Sequence, residues 1–156
     1  LKRAEQAGIP SAVCPREKGE ARAAFEARML EILRAHGVEM LILAGFMAIL
    51  SKEFVQNYPD RILNVHPSLI PAFCGKGFYG LHVHEAALAY GVKVTGATVH
   101  LVNEVPDGGR ILLQKAVEIE PGDTPEALQR RVMEQAEWQL LPRAAEMVAQ
   151  ELEEKP

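Results

Sequence analysis

The sequence predicts one α/β domain, a mostly parallel central sheet flanked by helices, extending over residues 1–156. Three observations predict it. Short runs with strand character alternate with longer segments of helical periodicity, as in stacked β–α units. Two of the runs, EMLILAG (39–45) and RILNV (61–65), are apolar almost throughout, the pattern of strands buried on both faces. Glycine and proline fall at the ends of the periodic segments, where they stop helices and open turns.

Taken in order, LKRAEQAGIP reads as the last turns of a helix, with Gly8 as the residue after its end and Pro10 beyond. Because the chain opens on Leu1 inside such a helix, the natural fold is expected to extend upstream. IPSAV (9–13) is a strand candidate. Residues 20–36 form an amphipathic helix with Phe25, Met29, Ile32 and Leu33 at helical spacing, closed by Gly37. After the run 39–45, Ser51 caps a short helix through Tyr58 that Pro59 stops, and RILNV is the next buried strand. HPSLIPAFCGKGFYG (66–80) holds two prolines and three glycines and must be a loop. HVHEAALAYG (82–91) is a helix, VKVTGATVHLV (92–102) a strand, NEVPDGG (103–109) a loop and RILLQKAVEI (110–119) a strand. Thr124 caps a long helical region with Pro125 in its first position, and Pro142 is expected to kink or split it.

Composition narrows the classes. Apolar residues make up 48% and charged residues 24% of the chain, as in globular domains with a core, and the formal net charge is −4. That charge argues against nucleic acid or an anionic membrane as the main partner. No apolar run reaches the roughly 18–20 residues of a spanning helix. Cys14 and Cys74 are far apart with no CxxC pairing, so neither a zinc site nor a disulfide framework is expected, and a reducing cytoplasm is the default compartment.

Ligands of open α/β sheets bind beyond the carboxyl ends of the strands. Three such ends carry unusual residues: LAGFM (43–47), NVHPS (64–68) and VPDGG (105–109). On a strand, Asn64 and His66 point to the same side, which puts an amide donor beside a titratable ring. An Asn and a His at a strand end also serve simply as turn-formers. Asp107 precedes two glycines, so an Asx turn competes with a carboxylate that orients His66. GKGFYG (75–80) matches the dinucleotide pattern GxGxxG but comes after a proline-punctuated loop rather than a strand, which favours a flexible loop over the site. Cys74 with His82 or His84 as its base is a conceivable nucleophile, with no geometry fixed. His36 and His100 read as a helix-end and a strand-face residue with no partner implied.

NVHPSLIPAF resembles the signature of the folate-dependent formyltransferases, and GATVHLVNEVPDGGRILLQKAV resembles the segment that supplies their aspartate. LILAGFMAIL (41–50) is similar to their folate-pocket segment, and VMEQAEWQLLP (132–142) to a late helix near the nucleotide substrate. The resemblance implies a Rossmann-like fold. Of three relatives, the methionyl-tRNA formyltransferases carry a further C-terminal domain. The formyltetrahydrofolate hydrolases, an alternative, typically have a second His where Pro67 stands. The glycinamide ribonucleotide formyltransferases of de novo purine biosynthesis fit best, with FCGKGFYGLHVHEAAL similar to the loop and helix of many bacterial members.

The resemblance implies an enzyme that moves the formyl group of 10-formyltetrahydrofolate onto the amine of glycinamide ribonucleotide, without a metal. It assigns Asn64, His66 and Asp107 to catalysis. Met47, Ile49, Leu50, Val55 and Ile62, with the loop Val102, Asn103, Glu104, Val105, Pro106 and Asp107, match folate-pocket positions. Gly45, Val65, Pro67 and Glu137 match positions near the nucleotide, and Arg22 matches loosely a basic residue near its phosphate. Three departures stand out: Ala48 where some relatives have Arg, Pro106 where some have Leu, and no counterpart of the family's first strand and Gly/Ser/Asn-rich phosphate turn. The third predicts an exposed strand edge, with association to another copy or lowered stability. It also leaves open a folate-binding fragment without full activity.

Overall fold

A computed structural model of the chain describes residues 1–46 and 48–154, so Met47 lies outside the described residues. The chain divides into two compact units, Leu1–Val38 and Glu39–Pro156. The first holds two helices, α1 (Lys2–Gln6) and α2 (Arg22–Ala35). Both end as their glycines predict. Gly8 and Gly37 take positive φ values of 66° and 61°. Past α1, Gly8 N–H donates to the Glu5 carbonyl and Ile9 N–H to that of Ala4; past α2, Gly37 and Val38 do the same to Arg34 and Leu33. These paired bonds satisfy carbonyls that a helix end leaves open. The predicted strand at 9–13 does not form: the segment is exposed and irregular. A run of suitable residues becomes a strand only with a ladder partner, and among the described residues it has none.

The second unit is built on four strands, β1 (Leu41–Leu43), β2 (Ile62–His66), β3 (Val94–Leu101) and β4 (Ile111–Glu118), in the order β1-β2-β3-β4. Helix α3 (Lys52–Val55) lies between β1 and β2, and α4 (Leu81–Tyr90) between β2 and β3. After β4 come α5 (Pro125–Val132), a π turn (Met133–Glu137) and α6 (Trp138–Glu153). The α/β class holds, but the mostly parallel sheet needs correction: among the described residues, β1–β2 is parallel, while β2–β3 and β3–β4 are antiparallel. Nine residues join β3 to β4, fewer than the dozen or so that a parallel crossover requires. The longer connection from β2 leaves and re-enters at the same end of the sheet, since His66 pairs with Thr98 and Val94 lies beyond the end of β2.

The register gives each face its character. Leu63, Val99, Leu101, Ala97 and Val117 share one face and form a core with Leu128, Val132, Ala136, Leu140, Ala144 and Val148 from α5, the π turn and α6. Ile62, Asn64, His66, Thr98, His100 and Gln114 fall on the other face. β1 corrects the reading of 39–45 as buried on both faces: Ile42 is 44% exposed, and among the described residues β1 pairs with β2 alone. An apolar run shows what a strand tolerates, not what covers it.

Caps behave as predicted. Ser51 Oγ accepts from Phe54 N–H at 3.1 Å and Thr124 Oγ1 from Ala127 N–H at 3.2 Å, with Pro125 opening α5. Pro142 does not split its helix. It sits inside α6, and the backbone widens into the π turn just upstream of Trp138, whose carbonyl Pro142 has no N–H to meet.

Candidate active site

Asn64 and His66 occupy the end of β2, two residues apart on the face away from the helix-covered core. His66 is only 4% exposed. Its Nε2 lies 2.8 Å from the Phe73 carbonyl, which can only accept, so Nε2 carries a proton. Its Nδ1 stands 3.6 Å from Asp107 Oδ2. Both ring nitrogens thus face acceptors.

Asp107 reaches His66 through a tight turn. Gly108 N–H donates to the Val105 carbonyl at 2.9 Å, Pro106 takes the second position and Asp107 the third with φ 55°. That is the arrangement of a type II turn, in which proline presets the second residue and the third must be left-handed. A Cβ on Gly108 would overlap the Val105 side chain, and one on Gly109 the Leu101 carbonyl, so the dipeptide after Asp107 has to be Gly-Gly. The Asx turn considered for Asp107 belongs to Asn103, whose Oδ1 accepts from Val105 N–H at 2.9 Å. Asp107 Oδ2 instead accepts from Gly75 N–H at 2.8 Å. Burial works against ionisation of this carboxyl. The His100 side chain and the Gly75 N–H, with the charges that His66 and His100 can carry, outweigh it and hold the carboxyl below its ordinary range.

His100 is the residue that sequence reasoning missed. It is 2% exposed and pairs across the strands with Asn64. Its Nδ1 lies 2.9 Å from the Leu101 carbonyl and therefore carries a proton. The other nitrogen, Nε2, is 3.3 Å from Asn64 Nδ2 and 3.6 Å from Asp107 Oδ1. Nε2 therefore faces both neighbours, accepting from the Asn64 amide when it is unprotonated and donating to Asp107 when it is protonated. The one signal in the residues is that Thr98 and His100 alternate with the apolar Ala97, Val99 and Leu101. The register that makes this alternation informative is a tertiary fact.

The other predicted positions spread around this cluster. Ile62 is fully buried one pleat from Asn64, and Leu50 and Val55 are buried, whereas Ile49 is 55% exposed. Val102 and Asn103 are half-buried, and Glu104, Val105 and Pro106 are exposed on the turn that carries Asp107. Gly45 is exposed with φ 66°, and Pro67 is half-buried directly after His66. Val65 turns its side chain to the opposite, core-facing side, so only its main chain borders Asn64 and His66. Burial pushes the Glu137 carboxyl up, and Arg22, in the first unit, donates to Glu26 at 3.0 Å.

The competing constellations do not assemble. Cys74 donates to the Pro71 carbonyl at 3.3 Å, and burial together with the Asp107 charge raises its thiol, which disfavours a nucleophilic thiolate. His82 pairs with Glu85 at 2.9 Å. The GKGFYG segment comes after the loop rather than a strand, and its first glycine N–H is spent on Asp107.

His84 is fully buried with neither ring nitrogen hydrogen-bonded among the described residues. Burial, reinforced by the charge of His66, lowers its pKa to about 4. A depressed histidine contributes stability that is fully present above its unfolded pKa of about 6.5 and is lost as pH falls toward the folded value. Unfolding free energy is expected to drop by about 3 kcal/mol between pH 7 and pH 4 on this account alone. Urea titrations of the wild type and His84→Leu check it: the variant should lack that part of the acid slope, and parallel pH profiles would contradict the assignment.

Comparison with known proteins shows the family. Residues 1–145 match the family model described as Formyl transferase. The chain is 46% identical over 127 residues to the chloroplastic phosphoribosylglycinamide formyltransferase of Arabidopsis thaliana, covering 81% of this chain and 44% of that protein. It is 43% identical over 132 residues to the phosphoribosylglycinamide formyltransferase of Bacillus subtilis, covering 85% and 65% respectively. Among solved structures, glycinamide ribonucleotide transformylase 1 from Symbiobacterium toebii superposes with a TM-score of 0.87 at 40% identity, over 96% of this chain and 68% of that one. An open α/β sheet shared at that similarity, with a family match over most of its length, leaves one assignment: the chain belongs to the formyl transferase family.

Proposed function

We propose that this chain carries the catalytic centre of a glycinamide ribonucleotide formyltransferase in cytoplasmic de novo purine biosynthesis. The observation that carries the reading is the convergence of Asn64, His66 and Asp107 on one sheet face, with Asp107 3.6 Å from His66. The similarity to phosphoribosylglycinamide formyltransferases supports the substrate pair. All three side chains come from the unit Glu39–Pro156. The residues fit an acyl donor: an amide N–H and an imidazole facing a carboxylate stand beside an apolar wall that includes Ile62.

10-Formyltetrahydrofolate supplies the activated formyl group when bound. As the substrate amine adds to the formyl carbon, the formyl oxygen gains negative charge. The free N–H of Asn64 donates to that oxygen. His66 contributes its positive charge, since its Nε2–H is committed to Phe73. Asp107 faces the imidazolium, and the proton lost by the new ammonium is taken up by the leaving folate nitrogen through a water that the Asp107 carboxylate orients. Leu50, Val55 and the 102–107 turn are assigned to the folate, and Pro67, Glu137, Gly45 and the Val65 main chain to the nucleotide.

The test is a formyl-transfer assay with 10-formyltetrahydrofolate in the presence and absence of glycinamide ribonucleotide. Folate deformylation should depend on the nucleotide and yield the formylated amine. Equal consumption without the nucleotide would assign the site to hydrolysis instead.

A further inference from the structure

The register sets His66, Thr98 and Gln114 side by side across β2, β3 and β4 on the same face. Gln114 is exposed, and its Nε2 donates to the Ile70 carbonyl at 3.0 Å and to Thr98 Oγ1 at 2.9 Å. Thr98 is fully buried. Its hydroxyl donates to the Ser68 carbonyl at 2.7 Å and accepts from Ile70 N–H at 3.1 Å. Ser68 Oγ in turn donates to the Ala72 carbonyl at 2.5 Å. Every hydrogen-bonding capacity of the Thr98 hydroxyl is used, and residues 68–72 are tied to the sheet through it.

Immediately beyond residue 72, the loop touches the candidate site. The Phe73 carbonyl accepts from His66, and Gly75 N–H donates to Asp107. Phe73 itself is held at φ 46°, a left-handed conformation that a side-chain-bearing residue adopts only when its surroundings impose it. Its ring leans edge-on against Phe78 and Tyr90, with centroids 6.3 and 6.0 Å away. One end of this strained segment is anchored by those rings. The other is anchored by Thr98 and Gln114.

We propose that Gln114 is a positioning residue for the reaction, clamping the 68–75 loop so that the Phe73 carbonyl and the Gly75 N–H fix the His66 ring and the Asp107 carboxylate. The inference rests on the proposed formyl transfer for its effect on rate, but the clamp itself is a property of the loop. Removing the Gln114 donor leaves the Ile70 carbonyl without its bond to the sheet and lets the strained segment relax, which misplaces two catalytic groups.

Gln114→Leu keeps the side-chain bulk without the N–H, and Gln114→Glu keeps the length but points a carboxylate at the Ile70 carbonyl. Both are expected to lower kcat about tenfold with KM for either substrate within about twofold, the signature of lost orientation rather than lost binding. In assigned amide hydrogen-exchange spectra, Ile70 and Gly75 should exchange about tenfold faster, while Leu101 and Val102 in the sheet keep their wild-type protection. Unchanged exchange at Gly75 in both variants overturns the clamp, as does a loss of protection that includes Leu101 and Val102. If the wild-type chain transfers no formyl group, the functional reading fails, and the exchange measurement alone decides the clamp.

Discussion

Asn64→Ala is expected to lower kcat by about 10²- to 10³-fold, the range seen when one donor to a developing oxyanion is removed. Asn64 Nδ2 stands 3.3 Å from His100 Nε2, and its amide carries two hydrogens, one of which the proposed role directs to the formyl oxygen. Because that bond strengthens as charge accumulates on oxygen, its loss falls on the transition state, and KM for the folate should change far less than kcat. Asn64→Asp sharpens the result. It keeps the shape, offers no N–H when ionised and adds a like charge near Asp107, so it should be at least as impaired as alanine. Steady-state kinetics showing less than a fivefold loss for Asn64→Ala would remove Asn64 from the role assigned to it.

The second large effect is expected at Asp107. Asp107→Asn retains a residue that tolerates the left-handed φ of 55° and can still accept from Gly75 N–H. The turn should therefore survive, and only the charge facing His66 is lost. An amide opposite Nδ1 no longer favours the imidazolium, so both oxyanion stabilisation and proton relay suffer, and kcat should fall by about 10²- to 10³-fold. The wild-type carboxyl sits below its ordinary range, so its pairing contributes stability and activity that are present above about pH 4 and are lost as pH falls further. A wild-type rate profile that declines through neutral pH because of a carboxyl, or an Asp107→Asn variant within fivefold of wild type, would contradict this pairing.

How much of this was legible in the residues depends on the distance over which each feature is decided. The helix ends at Gly8, Gly37 and Gly91, and the caps at Ser51 and Thr124, are set by a few neighbouring residues and formed as read. Asn64 and His66 share a face because side chains alternate along any strand. The family could be read from the order of its motifs, and the match over residues 1–145 agrees.

Other features depended on which segments pair. Among the described residues, IPSAV has strand-like residues but no ladder, and the apolar β1 pairs on one side with Ile42 exposed. The antiparallel course of β3 and β4 departs from the mostly parallel sheet expected, within the α/β class that holds. That same course brought His100 to Asn64 and Gln114 to Thr98, joining residues 36 and 16 positions apart. The local elements, the family and the pair on β2 are written in the residues themselves, because periodicity and capping act within a few positions. The approach of Asp107 to His66, the place of His100 beside Asn64 and the tie from the loop to the sheet arise with the fold, because register is set by the whole sheet against its core.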